Sequence, residues 1–168
     1  MTLAGTDRRP PRAARRRCDG FTLLEVVVAG VVVAVLAAIA LPSYSDYVQR
    51  GKISEAVANL SDMRTRLEQF YLDNRAYPAA PADCIPFVAG AAAPSGKIYL
   101  PAQQKYFKVT CTAMSAAAYT VAATGRPVEG MSSSFVYTID QDNARSSAGP
   151  RGSYTNTACW ATRKDGSC

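Results

Sequence analysis

The 168-residue chain contains no histidine and a single tryptophan, Trp160. Without imidazole it lacks the commonest general base and the commonest metal ligand. Its five cysteines include no CxxC pair, so no metal site is expected. There is also no GxSxG nucleophile turn, no phosphate-binding glycine loop and no paired-carboxylate spacing. Together these absences point away from an enzyme, and no catalytic residue or cofactor is expected.

Positive charge is scarce once the first twenty residues are set aside. Residues 1–20 hold six arginines against Asp7 and Asp19, a balance of +4 out of a total of +6. The other 148 residues carry 13 basic and 11 acidic side chains, which leaves +2. The basicity therefore reads as an N-terminal address and not as a nucleic-acid surface. Residues 21–41, FTLLEVVVAGVVVAVLAAIAL, carry one charge, Glu25. As a helix this run spans roughly 30 Å, one hydrocarbon core. Arginines stand before it and none follows until Arg50, which orients the N-terminus to the cytoplasm. No small-residue cleavage motif closes its far end, unlike a removed secretory signal. Cys18 falls in the basic leader. Cys84, Cys111, Cys159 and Cys168 fall in the part expected to be exported, where four cysteines allow two disulfides and three connectivities.

The helical rhythm continues past Pro42. Ile53, Val57, Leu60, Met63, Leu67, Phe70 and Tyr71 recur at three- and four-residue steps. Asp62 with Arg66, and Arg64 with Glu68, are oppositely charged i,i+4 pairs on the expected solvent side. Asn74 and Pro78 end the pattern, and Pro42 predicts a kink. One helix of some 50 residues results, apolar in its first half and amphipathic in its second, with the first half expected to protrude. Residues 76–96 read as a loop. Strands are expected at 97–100, 105–112, 118–123 and 134–140, with 125–133 and 141–158 as turn-rich connections. A helix followed by three or four antiparallel strands makes an α+β domain. The expected sheet contribution to its core is Tyr99, Phe107, Val109, Tyr119, Val121, Phe135 and Tyr137.

The stretch Gly20-Phe21-Thr22-Leu23-Leu24-Glu25, after a basic leader and before an apolar helix, resembles the class III signal of type IV pilins. "RLEQFYLDNRAYP", "FVYTIDQDNAR" and the ending "CWATRKDGSC" are similar to PilE-type minor pilins. The resemblance covers most of residues 20–168. It implies a type IV pilin-like fold: a long N-terminal helix packed on a three- to four-stranded antiparallel sheet, with a C-terminal disulfide loop. It implies a leader at 1–20, an apolar membrane and assembly helix at 21–50, and a globular head at 51–168. A prepilin peptidase would cut between Gly20 and Phe21 and methylate the new amine of Phe21. Glu25 would meet that amine, its own or a neighbour's, during assembly. The disulfides expected are Cys84–Cys111, tying the loop to a strand, and Cys159–Cys168, closing the terminal turn.

The function implied is that of a structural subunit of a type IV pilus, a minor pilin, serving adhesion, twitching motility or DNA uptake. Its partners would be other pilin subunits, the prepilin peptidase, the inner-membrane assembly machinery and, before assembly, the membrane itself. It would sit in the inner membrane and then on the cell surface. A pseudopilin of a type II secretion system shares the N-terminal signal. A filament-tip module that binds DNA or surfaces is the third reading, with Arg163 and Lys164 beside Trp160 as its candidate contacts; the favoured reading of those residues is a solvated turn with Trp160 packed on the sheet.

Overall fold

The computed structural model describes residues 20–149, 155–163 and 165–168, with the backbone alone for 41–43. One helix, α1, runs Leu23–Asn74. Two compact units divide the chain, one ending at Ala40 and the other formed by Leu41–Cys168. The kink expected at Pro42 falls among residues whose side chains lie outside the description. In the first unit, Val, Leu, Ala and Ile side chains are exposed all round the helix, which is long and apolar enough to cross a membrane by length and composition.

The end of α1 is set by local chemistry. Asn74 Nδ2 donates to the Phe70 carbonyl, and Arg75 turns left-handed (φ 58°) while its N–H caps the Tyr71 carbonyl. Among the described residues seven strands follow: β1 (Cys84–Ile85), β2 (Ile98–Tyr99), β3 (Phe107–Met114), β4 (Tyr119–Gly125), β5 (Val136–Asp140), β6 (Arg145–Ala148) and β7 (Thr155–Asn156). Strands β3 to β7 form one antiparallel sheet in sequence order. Strands β1 and β2 pair in parallel as a separate ribbon, and a disulfide joins Cys84 of β1 to Cys111 of β3.

The α+β class stands, but the sheet has five strands and not three or four. The two extra strands, β6 and β7, are short and drawn from Arg, Ser, Ala, Thr and Asn, too polar for alternation to reveal. Each is held by its neighbour's edge, β6 by β5 and β7 by β6. The segment expected as a strand at 97–100 is short and lies outside the main sheet.

The core joins the helix face Ile53, Ala56, Leu60, Met63 and Leu67 to Phe107, Val109, Tyr119, Val121, Ala123, Phe135, Tyr137 and Ile139. Two expected members differ. Ile98 is buried where Tyr99 was expected, because successive strand residues face opposite ways. The Tyr99 ring instead meets Phe87 edge-on, and its hydroxyl donates to the Ala92 carbonyl. Tyr71 is 39% exposed, at the margin of the stripe.

Polar residues on the flanks of α1 complete the docking. The Glu55 carboxylate accepts the backbone N–H groups of Tyr106 and Phe107 at 2.8 and 3.0 Å. Lys52 Nζ donates to the Glu129 and Gly130 carbonyls, and its charge lies 5.0 Å from the centre of the Tyr106 ring. Asn59 Nδ2 donates to the Gln103 carbonyl. Glu68, expected as a solvent-side partner of Arg64, instead accepts the hydroxyls of Tyr77 and Tyr119. Burial first, and the Glu68 carboxylate second, push the Tyr77 phenol up to about 12 and raise that of Tyr119 as well. Arg66 does pair with Asp62, at 2.9 Å.

Candidate functional site

The helix start is built by its own residues. Gly20, Phe21 and Thr22 precede the first helical residue, Leu23, and all three are exposed. Thr22 is the N-cap: its Oγ1 accepts the Glu25 N–H and its carbonyl accepts the Val26 N–H, both at 3.2 Å. Glu25 stands at the third helical position, where a carboxylate complements the positive end of the helix dipole. Thr22-Leu-Leu-Glu25 has the spacing of a capping box, a signal present in the sequence beside the more conspicuous Gly20-Phe21. Thus a non-helical Gly20–Phe21 bond is followed by a cap, an acid and an apolar helix.

The C-terminal loop is the second candidate. A disulfide joins Cys159 to Cys168. The loop is also tied down by side chains: Asn156 Nδ2 donates to the Gly166 carbonyl, Ser147 Oγ to the Cys159 carbonyl, and the Tyr137 hydroxyl to the Ala161 carbonyl. Asp165 Oδ1 accepts the N–H and hydroxyl of Ser167, which lowers its carboxyl below the usual value. Arg163 is exposed, and Lys164 lies outside the described residues. Trp160 is 7% exposed and donates its indole N–H to the Thr138 carbonyl, with Arg145 stacked on its ring at 4.7 Å. Its ring therefore belongs to the core and is not a free stacking platform beside Arg163. A second basic group, Lys52, Lys105, Lys108 and Arg126, surrounds Tyr106 and the start of β3. Among the described residues, no cluster of His, Cys, Asp or Glu could hold a metal ion.

Residues 42–134, more than half of the chain, match the family model described as type IV minor pilin ComP, DNA uptake sequence receptor. The chain belongs to this family of type IV minor pilins. Residues 15–41 match the prokaryotic N-terminal methylation motif, a stretch that contains Gly20, Phe21 and Glu25. Among curated relatives, the type IV major pilin protein PilE1 of Neisseria gonorrhoeae is 33% identical over 100 residues, covering 57% of this chain and 58% of that protein. The fimbrial protein EcpC of Eikenella corrodens is 40% identical over 60 residues, 36% of this chain and 39% of its own length. The match thus spans about two-fifths to three-fifths of these relatives. A solved structure of the Neisseria meningitidis non-core minor pilin PilV aligns with a TM-score of 0.46 and 18% identity, covering 68% of this chain and 96% of that one.

Proposed function

We propose that the chain is a structural subunit of a type IV pilus, processed between Gly20 and Phe21 and assembled through its apolar helix. The observation that carries this reading is the methylation motif lying on a helix start whose Gly20–Phe21 bond is non-helical and exposed. Residues 1–20 would be the leader, 21–50 the membrane and assembly helix, and 51–168 the exported head. The chain would cross the inner membrane once, N-terminus inside, and then move into a surface filament. Its partners would be the prepilin peptidase, the inner-membrane assembly machinery and other pilin subunits.

Glu25 has a specific part in this reading. Cleavage would leave a protonatable amine on Phe21, about one helical turn away. A carboxylate in an apolar bundle is costly unless paired, so a neighbour's Phe21 amine would both favour docking and fix register. Heterologous contacts that do not close on themselves propagate a filament. Glu25→Val should leave cleavage intact and sharply reduce recovery of the chain in sheared filaments. Normal incorporation of that variant would overturn the pairing.

The description of the matched family as a DNA uptake sequence receptor favours a second reading, in which the exported head also binds duplex DNA. Arg163, Lys164 and the basic group around Tyr106 are the candidate phosphate contacts. Retention of duplex DNA by the mature chain in detergent should fall steeply with salt. Retention that ignores salt, or survives Arg163→Ala with Lys108→Ala unchanged, would count against these residues.

A further inference from the structure

We infer that Thr22 is a positioning residue for leader removal: its hydroxyl pegs the helix start beyond Phe21 and so keeps the Gly20–Phe21 bond out of the helix. This rests on the reading above, that Gly20–Phe21 is the bond cut. Hydrolysis there adds one water to the Gly20 carbonyl and breaks the C–N bond. It leaves a carboxylate on Gly20 and an ammonium on Phe21. The reaction needs the Gly20 carbonyl unengaged and open to attack.

The geometry at the cap meets that need. The first intrahelical carbonyl is that of Thr22, bonded to Val26 N–H, so the Gly20 carbonyl lies two residues outside the ladder. Thr22 Oγ1 takes the Glu25 N–H, one of the donors every helix start leaves unpaired. Gly20 is exposed, and among the described residues a Cβ built on it meets nothing within 4 Å. The cap is thus the local device that fixes where the helix begins.

Without the hydroxyl, the donors of the first turn must find another acceptor. Unpaired N–H groups are costly next to hydrocarbon, so extending the helix toward the leader is the favoured response. A helix begun two residues earlier would bond the Gly20 carbonyl to the Leu24 N–H. That is the carbonyl the water must reach. The peptidase would then act only on the fraction of chains whose first turn is open, which raises apparent KM and leaves kcat unchanged.

The test uses the full-length chain in detergent with a prepilin-type peptidase, following leader release by mass. Thr22→Val keeps the shape of threonine and removes the acceptor, whereas Thr22→Ser and Thr22→Asn keep a capping oxygen. Thr22→Val should raise KM at unchanged kcat, by at most about five-fold, the shift in the open–closed equilibrium that loss of one cap represents. The Ser and Asn variants should be cut like the native chain. Native cleavage of Thr22→Val, or slow cleavage of all three variants alike, would overturn the inference. Failure of the native chain to be cut at Gly20–Phe21 would instead remove the processing reading on which it rests.

Discussion

Replacing Glu55, half-buried on the flank of α1, with alanine should destabilise the head well beyond an ordinary surface substitution. One carboxylate oxygen, Oε1, accepts the N–H groups of Tyr106 and Phe107 at 2.8 and 3.0 Å. These two groups lie at the entrance to β3, and Phe107 is fully buried. A hydrogen bond to a charged group contributes roughly 1.5–3 kcal/mol, and unsatisfied buried donors add their own cost. The two bonds share an oxygen, so their energies do not simply sum. The expected loss for Glu55→Ala is about 2–4 kcal/mol. Glu55→Gln retains an acceptor of the same shape without the charge and should lose only about 1 kcal/mol. Trp160, the single tryptophan, is buried in the core and makes a natural fluorescence probe for urea unfolding of the mature chain. A loss below about 0.5 kcal/mol for Glu55→Ala, the ordinary range of surface substitutions, would refute the docking role.

Three further outcomes follow from the packing. A Cβ at Gly125 would collide with the Ser132 carbonyl oxygen, so Gly125→Ala should cost about 2–3 kcal/mol in the same unfolding assay. Leu60 is completely buried between helix and sheet, and Leu60→Ala should cost about 2–5 kcal/mol, with the larger value if the cavity fails to collapse. The Tyr77 phenol, raised from 10.0 to about 12, contributes stability that is fully present below pH 10 and is lost as pH rises from 10 through 12. The unfolding midpoint should therefore fall across that window, and Tyr77→Phe should make the fall shallower.

Much of the fold was legible because it rests on local signals. The helix stripe from Ile53 to Leu67 follows the 3.6-residue period, and Asn74 caps the helix where the pattern stops. What escaped depends on partners far along the chain. Lys52 and Glu55 look like ordinary solvent charges, yet their bonds reach residues 77 and 51 positions away. Strand β7 is two residues long and has no periodicity to detect. Ala56 is fully buried because the sheet sits close to α1 there, whereas the larger Val57 lies at the edge. At the candidate site, Gly20, Phe21 and Glu25 are marked by the resemblance of their stretch to a class III signal. Trp160 packs on the sheet, the arrangement expected for a solvated terminal turn, and its partners come from β5 and β6.

We propose above that this chain is cut, modified and built into a filament. The most direct test of this proposal is the mass of the chain recovered from sheared surface filaments of cells that express it from its own start. The expected chain begins at Phe21, with one methyl group on its amine and residues 1–20 gone. A chain that keeps residue 1, or one found in the membrane and never in the filaments, would contradict it.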